Sequence, residues 1–140
     1  MKPMRIFYSH HCWKYNTPME EFEMELIRDG TPVDDVVVVN PRVSLPQGAP
    51  ESVILEAAYE LIKSCDALVF STVSGVIGHG VFNEVLCALN NKKPVYEIIG
   101  TEIYEIASTY HFNSLISQFI FDGDNRKYAV LRDPHELDCL

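Results

Sequence analysis

Four consecutive valines, inside "DVVVVNP" at residues 35–41, constrain the fold of this chain more than any other stretch. A strand with one wet face alternates apolar and polar residues, so an unbroken β-branched run reads as a strand covered on both faces. "MRIFYS" at residues 4–9 and "DALVFSTV" at 66–73 read the same way, and "KPVYEI" at 93–98 makes a fourth strand. The segments between them have helical spacing. "TPMEEFEMELIRDG" offers Thr17 as N-cap, Pro18 at the first helical position, Glu20 three residues after the cap and Gly30 as a stop. Phe22, Leu26 and Ile27 form its apolar stripe, with Glu21, Glu23 and Glu25 mostly on the wet side. Residues 51–64 form a second helix and residues up to about 91 a third.

The order β-α-β-α-β-α-β predicts an α/β fold, a Rossmann-like or flavodoxin-like three-layer sandwich. Its sheet is mainly parallel, with four to five strands, in one domain spanning 1–140. "RVSLPQGAPES" at 42–52 reads as a loop from its Pro and Gly content. Beyond Gly100, residues 101–109 suit a strand paired with the fourth, "HFNSLISQFIF" at 111–121 a helix, and "KYAVLR" at 127–132 a last short strand.

Composition narrows the partners. A formal net charge of −9 argues against a general grip on polymeric nucleic acid, which needs clustered Lys and Arg; a small anion can still bind at helix N-termini and loop amides. No apolar run approaches the roughly eighteen residues of a membrane span, and the N-terminal apolar run is too short for a signal peptide. Cys12, Cys65, Cys87 and Cys139 are scattered without a CxxC pair. The expectation is a soluble cytoplasmic protein with reduced thiols, needing no metal or other cofactor.

In an open parallel sheet, ligands sit beyond the carboxyl ends of the strands. That rule selects Tyr8, Ser9, His10 and His11 after the first strand, Asn40, Pro41 and Arg42 after the second, and Ser71, Thr72 and Ser74 after the third. The turn "SGVIGHG" brings Gly75, Gly78 and Gly80 together, which permits positive φ and close approach of backbone amides to a ligand. Its spacing is neither the dinucleotide fingerprint nor a Walker loop. Glu84 follows about one turn into the helix, where the dipole favours its ionised form by ~0.3–1 kcal/mol, which suits a nucleophile more than an acid. Acidic residues are also common in first turns for that electrostatic reason alone.

"YSHHCWKYN" is dense in functional groups, but neighbours on a strand end point apart, so His10, His11 and Cys12 do not readily chelate one ion. A loop in which Trp13 or Tyr15 stacks on a base and Lys14 meets a phosphate competes with plain surface packing. Arg42 is open to a phosphate or a carboxylate, and Asn40–Pro41 to a simple chain turn. His111 and His135 read as surface residues, and Asp122 and Asp124 as turn chemistry rather than a calcium loop.

Taken in order, a first strand ending in Tyr, a "VVNP" strand and "IKSCDALVFSTVSGVIGHGVFNEVLCALNNKKPVYEI" at 62–98 resemble the nucleoside 2-deoxyribosyltransferase-like superfamily. The resemblance spans roughly residues 4–98. It implies cleavage of the N-glycosidic bond of a nucleoside or nucleoside 5'-monophosphate by double displacement, with self-association into dimers or larger oligomers. Glu84 matches the family's nucleophile, Tyr8 the tyrosine that holds that carboxylate, and Asp66 the Asp that opens the third strand. Ser74, Gly78 and Gly80 fall where the monophosphate hydrolases cradle phosphate; Ser9, His10 and Asn40 line the same strand ends. The transferases carry an Asp six residues before the nucleophile to handle the leaving base, whereas this chain has Gly78 there, with His79 beside it as a proton donor. That departure favours hydrolysis over base transfer, or a nucleotide-binding module without turnover.

Overall fold

The computed structural model describes residues 2–33, 35–124 and 126–132; His135 and Cys139 lie outside them. Its centre is a five-stranded sheet in the order β2 (Val36–Val39), β1 (Met4–Ser9), β3 (Ala67–Ser71), β5 (Val95–Ile99) and β6 (Glu102–Ile106). The first four strands are mutually parallel, and β6 returns antiparallel to β5 through Gly100, which takes φ +63°. Counted along the sheet this is the flavodoxin-like succession, and growth of the sheet reverses at β1. The chain crosses from β1 to β2 through α1 (Pro18–Gly30), and from β2 to β3 through α3 (Glu51–Lys63), so the two helices lie on opposite faces.

Each face has its own core. Phe7, Leu68, Phe70 and Val95 pack against α3 and α4 (His79–Asn90), where Ala58, Ile62, Val81, Val85 and Ala88 are buried. On the other face Ile6, Tyr8, Ala67, Val69 and Ile98 meet Ile27 and Met24 of α1. Successive residues of β1 therefore serve different layers, as strand alternation requires. Phe22 is 41% exposed and is no part of the stripe the sequence assigned it to, whereas Glu20 and Glu23 are buried, Glu23 against expectation. Thr17 caps α1 by accepting from the Glu20 amide, and the Glu20 carboxylate accepts from the amide of Asn16.

The valine run is half right. β2 forms, but as a sheet edge, so Val37 is 42% exposed. The expected loop after it begins with a short helix, α2 (Pro41–Ser44), whose N-cap Asn40 accepts from the Arg42 amide.

The C-terminal third departs further. "HFNSLISQFIF" divides into α5 (Thr109–Leu115) and β7 (Gln118–Phe121). β7 pairs with β8 (Lys127–Val130), which pairs in turn with β4 (Val76–Ile77), giving a second, antiparallel sheet in the order β4-β8-β7. Asp122 holds the β7–β8 turn by accepting from the amides of Asp124 and Arg126. Gly75, at φ +80°, lets this ribbon close: a side chain there would run into the carbonyl of Arg132, while the amides of Leu131 and Arg132 donate to the Gly75 carbonyl. Among the described residues no helix is long and apolar enough to cross a membrane.

Candidate active site

At the carboxyl end of β1, Ser9 and Glu84 meet across the α4 face of the sheet. Ser9 is fully buried, and its hydroxyl donates to a carboxylate oxygen of Glu84 at 2.7 Å. Glu84 is 8% exposed, and burial is the dominant influence on it, pushing its pKa up to about 7 against the opposing hydrogen bond from Ser9. That rise is worth about 3 kcal/mol, several times what a helix N-terminus contributes in the other direction. The expectation that the helix dipole tips Glu84 towards its ionised form is therefore corrected: burial outweighs the dipole.

Among the described residues the second carboxylate oxygen of Glu84 has no hydrogen-bond partner, yet no fully buried side-chain nitrogen or oxygen there lacks one. It is accordingly open to the cavity that Glu84 lines, a cleft of about 390 Å³. His10, His11, Cys12 and Tyr15 line it after β1, Pro41, Leu45, Gln47 and Ala49 contribute from α2 and the loop after it, and Gly78, His79 and Gly80 form the start of α4. Burial, then the charge of Glu84, holds the Tyr15 phenol up at about 12. A volume of this size accommodates a small molecule.

Tyr8 does not hold Glu84. Its phenol is on the opposite face of β1, fully buried, and donates to Glu23 at 2.5 Å. Burial, then the Glu23 charge, keeps that phenol protonated far above its ordinary range. Glu23 also accepts from Ser71 at 2.7 Å and pairs with Lys14, whose ammonium donates in addition to Ser71 and to the Thr72 carbonyl, both at 2.8 Å. Lys14 is thus committed to the protein rather than to a phosphate. His10 turns the same way as Tyr8: the rings stack at 3.7 Å, and Nε2 of His10 lies 2.8 Å from Glu20. Glu20 pairs too with Arg42, which settles that residue's partner. Burial alone raises the pKa of Glu20, but hydrogen bonds from Arg42, His10 and Asn16 together bring it down to about 2.

Three further assignments are corrected. Asp66 is at the amino end of β3, where its carboxylate accepts from the Arg5 amide at 2.8 Å, so it ties β1 to β3 at the wrong end of the sheet for catalysis. Replacing it with Ala is expected to lower stability by about 1 kcal/mol, as thermal melts would show. Ser74 takes φ +51° and borders a different cavity, on the α1 side, with Lys14, Phe22 and Ile98. Of the three glycines in the turn only Gly75 uses positive φ; Gly78 is the N-cap of α4 at φ −80°. His79 does line the cleft, its ring nitrogen 3.2 Å from the Asn83 amide and 4.0 Å from Glu51.

The sequence reading missed Tyr128 and Arg126, which reach the cleft from β8 and the turn before it. No local pattern marks them, since only the pairing of β8 with β4 carries them to α4. For Glu20 and Glu23 a signal was present: with Ile27 they occupy positions i, i+3 and i+7 of one helical stripe. No protein-family model matches this chain, and no curated protein matches its sequence.

Proposed function

We propose that the protein hydrolyses the N-glycosidic bond of a nucleoside or nucleoside 5'-monophosphate, with Glu84 as the nucleophile. One observation carries this reading: a buried carboxylate, held on one oxygen by Ser9, presents its other oxygen to a cleft of ligand size. Elsewhere buried carboxylates are consumed by the fold, Glu20 by His10 and Arg42, Glu23 by Tyr8, Lys14 and Ser71. Among the described residues Glu84 has no such cation, and a poorly solvated carboxylate near half-ionisation at neutral pH is a reactive one.

In the first step the free oxygen of Glu84 attacks the anomeric carbon, and the C–N bond breaks with its electron pair leaving on the base. Water then adds to the anomeric carbon, the ester bond to Glu84 breaks, and the proton from water ends on the base. Gly78, where a transferase would have an acid to handle the leaving base, favours hydrolysis over base transfer. The α4 amides at Gly78 and Gly80 and the guanidinium of Arg126 offer positive potential at the rim for a 5'-phosphate.

Incubation with a panel of ribo- and deoxynucleosides and their 5'-monophosphates, followed by chromatography for free base, tests the proposal. Base release that disappears in Glu84→Ala is the expected result. Release at an undiminished rate in that variant would overturn it, and tight nucleotide binding with no release from any compound would replace it with a nucleotide-binding module. Because the nucleophile must be ionised, kcat is expected to rise with pH through about 7. Ser9→Ala removes the hydrogen bond that favours the carboxylate, so the acidic limb of that profile is expected to move up by about one pH unit.

A further inference from the structure

We propose that His11 holds the departing base, taking the place that an acid six residues before the nucleophile would otherwise occupy; this rests on the glycosidase reading above. A β-carbon on Gly78 would lie 3.1 Å from Cδ2 of His11 and 3.6 Å from its Nε2, so the imidazole fills the space a side chain at 78 would need. Ser9 and His11 are two apart in extended backbone, which directs both side chains to the cleft side, while the side chains of Tyr8 and His10 turn to the α1 side. One stretch of chain thus positions the nucleophile and, one alternation later, the group beside the leaving base.

The ring is oriented for donation. Nδ1 of His11 accepts from the Trp13 amide at 3.1 Å, which places the ring proton on Nε2. Nε2 has no partner among the described residues, and since no buried side-chain nitrogen or oxygen there is unsatisfied, it is open to the cleft. Burial, then His10 and Lys14, lowers the pKa of His11 and keeps it in this neutral form. The chemistry follows from that tautomer. When the C–N bond breaks, its electron pair resides on the base, and the Nε2–H donates a hydrogen bond to the nitrogen or oxygen bearing the charge. His11 keeps its proton; the base is protonated by the water that adds to the sugar.

His79, placed by sequence as the proton donor, is 39% exposed on its side chain and already engaged with Asn83. The test compares a natural deoxynucleotide with a p-nitrophenyl 2-deoxyriboside, whose phenolate departs unaided. His11→Ala is expected to lower kcat on the nucleotide at least about a hundredfold and on the p-nitrophenyl compound less than about threefold. His11→Gln, which can present an N–H near the same point, is expected to recover part of the loss. Gly78→Ala, whose methyl group crowds the ring, is expected to reduce nucleotide turnover selectively. An equal loss on both substrates in His11→Ala, or no loss on the nucleotide, would overturn the role of His11 while leaving Glu84 intact. Failure of the wild type to cleave either compound would overturn both readings.

Discussion

Replacing Glu84 with Gln is expected to abolish base release, by at least about a thousandfold in kcat, and at the same time to make the protein more stable. The two effects have one origin. In the unfolded chain the carboxyl ionises near 4.5, and in the fold it does so only near 7 because burial disfavours the charge. Below pH 4.5 both states are protonated and the group is neutral in the balance. As pH rises from 4.5 to about 7 the unfolded state loses its proton first, so the stability present at low pH is progressively lost, reaching about 3 kcal/mol above pH 7. Glutamine has no proton to lose and escapes this penalty. Denaturant titrations should therefore show Glu84→Gln gaining on the order of 3 kcal/mol over wild type at pH 8 and little at pH 4. Equal stability of the two proteins at pH 8 would show that burial does not disfavour the charge of Glu84.

Glu23→Ala is expected to act in the opposite sense, lowering stability by about 3–5 kcal/mol without entering the chemistry. Its carboxylate is the common acceptor for the Tyr8 phenol, the Ser71 hydroxyl and the Lys14 ammonium, all three substantially buried. Removing it takes the counter-charge from Lys14, whose side chain is only 12% exposed, and the acceptor from two buried hydroxyl donors between α1 and the sheet. For a chain of this length the melting temperature should fall by roughly 10 °C or more. Glu25→Ala, exposed on the same helix, is the matched comparison and should change stability by less than about 0.5 kcal/mol. A small effect at Glu23 would mean that the buried network is replaceable by apolar packing.

The contrast between Glu20 and Glu84, two of the four glutamates buried among the described residues, shows how far the amino-acid order alone could be read. Glu20 and Glu84 each sit in the first turns of a helix, and nothing in "TPMEE" or "GVFNE" says that one carboxylate is neutralised while the other is left facing a cleft. The resemblance gives Tyr8 the role of holding Glu84, and in the structure the next residue does so: strand period two sends Tyr8 to α1 and Ser9 to α4. The error is one of parity, and parity depends on which helix covers which face. In the same way His11 rather than its neighbours reaches Gly78, and Asp66, correctly placed at the head of β3, is stranded at the far end of the sheet.

Local information was decisive where the physics is local. Unbroken apolar runs, the Thr17–Pro18 start and the glycine at 30 specified β1, β3 and α1 nearly residue for residue, and strand–helix alternation specified a parallel sheet with covered faces. Only the tertiary structure decided what lies in the cleft. The ribbon of β7 and β8 forms by pairing across more than fifty residues of chain with β4, and through it Tyr128 and Arg126 arrive beside α4. Burial then divides chemically identical carboxylates into anions held by partners inside the fold and one, Glu84, whose charge burial disfavours, because the energy of a charge depends on the dielectric and the partners around it rather than on its place in the chain.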